Sequence, residues 1–74
     1  MKFTIEVSSV PDRNGLVAEV WLGNEMLAEI MQESAEKYIV EIYSHPNKKV
    51  WKVGYDEFIE ALNFAKTRLA EYKG

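Results

Sequence analysis

Val17-Ala18-Glu19-Val20-Trp21, Leu27-Ala28-Glu29-Ile30-Met31 and Ile39-Val40-Glu41-Ile42-Tyr43 repeat one pattern three times. Each copy reads apolar, small or branched, Glu, β-branched, large apolar. Strand side chains alternate between faces with period two, so Val17, Glu19 and Trp21 share one face while Ala18 and Val20 share the other. The same holds for Leu27, Glu29 and Met31 against Ala28 and Ile30, and for Ile39, Glu41 and Tyr43 against Val40 and Ile42. The pattern predicts a small sheet with one wholly apolar face and a second face that carries a glutamate at the centre of each strand.

Outward from these copies, Lys2 to Val7 alternates strictly and predicts a further strand, with Phe3, Ile5 and Val7 inward. Residues 8–15 carry Pro11, Asp12, Asn14 and Gly15 and form a turn-rich loop. Strands are expected over 16–22, 26–32 and 38–44. Gly23-Asn24 is a strong hairpin signal, since both residues tolerate positive φ. Residues 45–49 form a loop around Pro46, and 50–53 suit a short fifth strand at an edge.

Register follows from burial. Odd-length loops centred on Asn24 and Ala35 set Glu19 opposite Glu29 and Glu29 opposite Glu41. They also gather Leu16, Ala18, Val20, Leu22, Met26, Ala28, Ile30, Val40 and Ile42 on one face. An even loop would carry a glutamate into the core. A helix over 24–38 competes, because that segment is rich in Glu, Met, Leu, Ala and Lys and begins at a cap-like Asn24. The threefold pattern and the Gly-Asn turn favour strand.

The C-terminal segment is helical. Tyr55, Phe58, Leu62, Ala65, Leu69 and Tyr72 recur at steps of three and four and form one apolar stripe. Gly54 suits the N-cap, Glu57 the N3 position, and Val53 with Phe58 the staple. Asp56, Glu57 and Glu60 lie early and Lys66, Arg68 and Lys73 late, as the helix dipole favours. The stripe is expected to pack on the Ala18/Val20/Ile30/Val40 face, where alanines let a helix approach. The fold class is therefore α+β: an antiparallel meander of four to five strands with one C-terminal helix on one face, a single domain over 1–74.

The Ala18-Glu19-Val20-Trp21 run, the Gly23-Asn24-Glu25-Met26 turn and Ala28-Glu29 carry a resemblance, together with Gln32-Glu33, Glu41-Ile42-Tyr43, Pro46, Trp51 and the Asp56-Glu57 helix start with Glu60-Ala61-Leu62. The chain resembles a group of short bacterial proteins associated with the immunity proteins of toxin systems. That resemblance spans most of the chain as a pattern of apolar and acidic residues without a catalytic signature. It implies inhibition of a protein partner and carries over no individual functional residue.

Composition narrows the function classes. A chain of 74 residues buries only about 60% of its unfolded surface and has little room for a deep cleft beside a core. It contains no cysteine, which excludes disulfides and thiolate chemistry and favours a cytoplasmic location. No secretory leader or membrane-spanning stretch is expected. The net charge of −3 opposes direct contact with nucleic acid and suits a basic protein partner. No phosphate-binding loop or nucleophile elbow occurs, and His45 stands alone as a metal ligand, so no cofactor and no metal are expected.

The glutamate row has three readings: charges that keep an open sheet soluble, an acidic stripe that receives Lys or Arg, and a carboxylate pair for glycoside hydrolysis. The last lacks a cleft to perturb a pKa. The flanking Val17, Trp21, Leu27, Met31, Ile39 and Tyr43 form either an exposed interface patch or packing beneath the 8–15 loop. Phe64 lies off the helix stripe, and Trp51 suits core or edge packing over the helix start.

These observations predict a non-enzymatic protein-binding module, an immunity or inhibitor protein that blocks its partner with Glu19, Trp21, Leu27, Glu29, Met31, Ile39, Glu41 and Tyr43. The alternative is a structural homodimer through the same sheet face, which brings like carboxylates together.

Overall fold

The computed structural model describes residues 2–9, 15–45, 47 and 50–72. Residues 10–14 of the 8–15 loop, Pro46 and the late-helix Lys73, all used above, lie outside the described residues. The chain runs β1 (Phe3–Ser9), β2 (Leu16–Leu22), β3 (Glu25–Ser34), β4 (Lys37–Ile42) and α1 (Tyr55–Glu71). The four strands form one antiparallel sheet in the order β1-β2-β3-β4, with α1 packed against it, an α+β fold. Residues 24–38 are hairpin and strand, not helix. Residues 50–53 form no strand; instead Trp51 donates its indole N–H to the Tyr43 carbonyl oxygen at 2.8 Å.

The glutamate register is as the alternation requires, but it is reached differently. Leu22 pairs with Glu25 across a two-residue Gly23-Asn24 turn, and the offset is corrected by a bulge at Leu27. Of the two turn residues only Gly23 takes positive φ, 63°, as a type II′ turn demands of its first central residue. Ser34 pairs with Lys37 across Ala35-Glu36, and a second irregularity at Glu33 restores the register beyond it. Each tight turn is thus reconciled with the face pattern by one extra residue. The first bulge pairs Met26 with Trp21 and removes it from the core-face row expected for it.

The core joins Ala18, Val20, Leu27, Ala28 and Ile30 of the sheet to Ala61, Ala65 and Leu69 of α1. Alanines line both sides, which allows a close helix approach. Phe3 and Phe58 stack at 5.9 Å between centroids where the helix begins. Gly54 is the N-cap, and the Glu57 carboxylate folds back over it. The buried stripe is narrower than the sequence implies. Tyr55 is 79% exposed and Tyr72 is exposed as well, because both lie beyond the ends of the sheet contact, while Ala61 is buried at its centre.

The helix sits chiefly over β1 and β2 and less over β3. It reaches β4 through the Lys66 ammonium, 5.0 Å above the Tyr38 ring. Val40 and Ile42 therefore occupy the core face by register yet remain 43% and 60% exposed. They were expected in the core; one helix about 10 Å wide does not span four strands spaced about 4.8 Å apart.

Candidate functional site: the outer sheet face

The face turned away from α1 is built in rows. Glu6 pairs with Glu19, Glu19 with Glu29, and Glu29 with Glu41. Four glutamates, one from each strand, thus stand directly opposite one another across the whole sheet. Neighbouring Cβ atoms in such a row are about 5 Å apart, and like charges at that spacing repel. One flanking row holds Ser8, Val17, Met31 and Ile39. The other holds Thr4, Trp21 and Met26, with Tyr43 just past the end of β4.

Donors in the flanking rows hold the two central carboxylates. Glu19 accepts Ser8 Oγ–H on Oε2 and the Trp21 indole N–H on Oε1, both at 3.0 Å. Glu29 accepts the Tyr43 hydroxyl on Oε1 at 2.5 Å. Hydrogen bonds to an ionised acceptor are among the stronger ones in proteins. They offset part of the repulsion within the row and fix the indole and phenol rings beside it.

Exposure divides the residues named from sequence. Leu27 and Glu29 are buried, at 1% and 6% exposure. Val17 is fully buried too, so the expectation of an exposed flank fails at Val17 and Leu27. Val17 lies on a central strand, where neighbouring rows shield it, and Leu27, at the bulge, belongs to the core cluster. Glu19, Trp21, Met31 and Ile39 are half-buried, and Glu41 and Tyr43 are exposed. Surface contact is thus open to Glu19, Trp21, Met31, Ile39, Glu41 and Tyr43, while Glu29 lies buried in the row and Leu27 belongs to the core. Sequence reasoning missed Glu6 and Ser8. The alternation over 2–7 placed Glu6 on the polar face, whereas Ser8 was expected in the loop and instead continues β1; the alignment of both with β2 needed the β1–β2 register.

Two further features border this face. At one end a shallow recess of about 380 Å³ has apolar walls from Leu16, Met31 and Ile39 and an acidic rim from Glu33 and Glu41. At the other, His45 lies 4.3 Å from the Trp51 ring and sets Nε2 3.3 Å from Glu25 Oε1. His45 Nδ1 accepts the Asn47 amide at 3.0 Å, which leaves Nε2 to carry the proton toward Glu25. Among the described residues no three His, Asp or Glu side chains are grouped to hold a metal ion, and no helix is long and apolar enough to cross a membrane. No family model matches the chain, and no match arises among curated proteins or solved structures. Function is therefore read from the sheet face itself.

Proposed function

We propose that this protein is a non-enzymatic binding module whose outer sheet face receives a basic surface of a protein partner, in the manner of an immunity or inhibitor protein. The observation that carries this reading is the in-register row Glu6–Glu19–Glu29–Glu41. A fold gains no stability by aligning four like charges, so a complementary cation is the natural counterpart. The recess beside Glu41 suits one Lys or Arg from the partner. Its aliphatic stem would lie on Met31 and Ile39 and its head between Glu33 and Glu41. Trp21 and Tyr43, held by their hydrogen bonds to Glu19 and Glu29, offer rigid aromatic contact area. A homodimer through this same face would oppose eight carboxylates and is disfavoured on that ground.

Candidate partners are basic proteins encoded beside this gene. Calorimetric titration of such a partner at low and high salt, with wild type and Glu41→Gln, tests the reading. The expected result is about ten-fold weaker binding of the variant and a shallower salt dependence. Equal affinity and equal salt dependence for the two proteins would remove the acidic face from the interface.

A further inference from the structure

Among the described residues, strand β4 has a neighbour on one side only. The Tyr43 amide donates to the Leu27 carbonyl at 2.9 Å, so the odd-numbered residues of β4 direct their backbone groups toward β3. In an antiparallel ladder the alternate residues then point theirs away. Tyr38, Val40 and Ile42 present N–H and C=O groups along the open edge, and Val40 and Ile42 also expose apolar side chains on the face that α1 leaves uncovered. The opposite edge differs: Phe3, Ile5 and Val7 of β1 pack against the core beneath the helix.

The stretch Lys37-Tyr38-Ile39-Val40-Glu41 is its own complement when reversed. It has a cation at one end, an anion at the other, Ile at the centre, and large apolar residues between. We propose that β4 is the seam of a homodimer, in which two copies pair antiparallel about Ile39 and continue the sheet to eight strands. Tyr38 then pairs with Val40 of the second copy, and the two such pairs exchange roughly four backbone hydrogen bonds. Ile39 faces Ile39 of the second copy, and Lys37 faces its Glu41 at closely spaced, non-hydrogen-bonded positions.

Charge selects this register. Pairing centred on Glu41 would oppose the two Glu41 carboxylates. Pairing centred on Val40 would set Glu41 against Ile39. A lysine on an edge strand ordinarily discourages strand addition; here the second copy answers it with a carboxylate. Lys37 has a surface partner in Glu33 at 3.3 Å, with both side chains more than half exposed. Such an exposed pair is weak enough to rearrange. The seam shares Ile39 and Glu41 with the recess proposed for the hetero-partner, but it is read on the protein alone, so a monomer rejects the seam and leaves that contact to its own titration.

Sedimentation equilibrium between about 5 and 500 µM measures the association. Wild type is expected to show a monomer–dimer equilibrium. Lys37→Glu and Glu41→Lys each place two like-charge pairs across the seam and should weaken the dimer about ten-fold or more. The double variant Lys37→Glu/Glu41→Lys restores opposite charges and should return to within about three-fold of wild type. Both positions are exposed, and matching circular dichroism melts would show the fold intact in every variant. Because the chain has no cysteine, Ile39→Cys gives an independent check: its thiols meet across the twofold at a separation a disulfide spans. A monomer throughout the range overturns the seam. A dimer indifferent to the single substitutions, one not rescued by the swap, or one that cross-links through Val40→Cys in preference to Ile39→Cys overturns this pairing.

Discussion

The Tyr43 hydroxyl reaches diagonally over the sheet to Glu29, 2.5 Å from Oε1, and this contact lets a glutamate remain 6% exposed at the centre of a carboxylate row. Tyr43 lies one residue past the end of β4, and its amide is bonded to Leu27. Both its backbone and its side chain therefore fasten the chain to β3.

The two sides of this contact are expected to respond unequally. Tyr43→Phe removes the donor to a buried acceptor and should destabilise the protein by about 1–3 kcal/mol. Glu29→Gln keeps an acceptor of the same shape and relieves repulsion from Glu19 and Glu41, so stability should change by less than about 1 kcal/mol. Urea unfolding of the two variants and of the double variant gives the coupling. A Glu29→Gln loss as large as that of Tyr43→Phe would show that the carboxylate charge itself is required.

Burial on the core face should be graded across the sheet. Ile30 is 2% exposed and Ile42 60% exposed, although both have core-face register. Ile30→Ala is expected to cost about 2–5 kcal/mol and Ile42→Ala under about 1 kcal/mol. Thermal melts at low protein concentration compare them. Equal losses would mean that α1 covers β4.

Ala28 is fully buried between strands and helix. Ala28→Asp places an unpaired charge there, at a cost of several kcal/mol, comparable to the total stability of a small domain. Loss of the folded circular dichroism signal at 25 °C is the expected outcome. A cooperative melt close to that of wild type would contradict the assignment of this face to the core.

Gly23 has φ 63° with open space where a Cβ would stand. Gly23→Ala therefore meets only the backbone penalty, about 1–2 kcal/mol. Gly23→Asn should cost less, because Asn tolerates this conformation. Denaturant midpoints of the two variants order them, and a reversed order would point to another turn geometry.

The sequence by itself determined the strands, their two faces and the helix, because period two and period 3.6 are local properties of a chain that must bury one side. It also determined the alignment of Glu19, Glu29 and Glu41: any other register would bury a carboxylate or expose the Ala18/Val20/Ile30 face. Tertiary structure decided the rest. The bulge at Leu27 is a compromise between a two-residue turn and that register, and neither requirement alone reveals it. Glu6 joined the row only through the pairing of β1 with β2. Which outer-face residues are shielded depended on strand position, so Val17 and Glu29 are buried while Glu41, in an identical local pattern, stays exposed. The placement of α1 over β1 and β2, which leaves Val40 and Ile42 open, follows from where the Ala61-Ala65 surface fits closest against the sheet. That fit is a property of two assembled surfaces, and periodicity along one chain segment does not contain it.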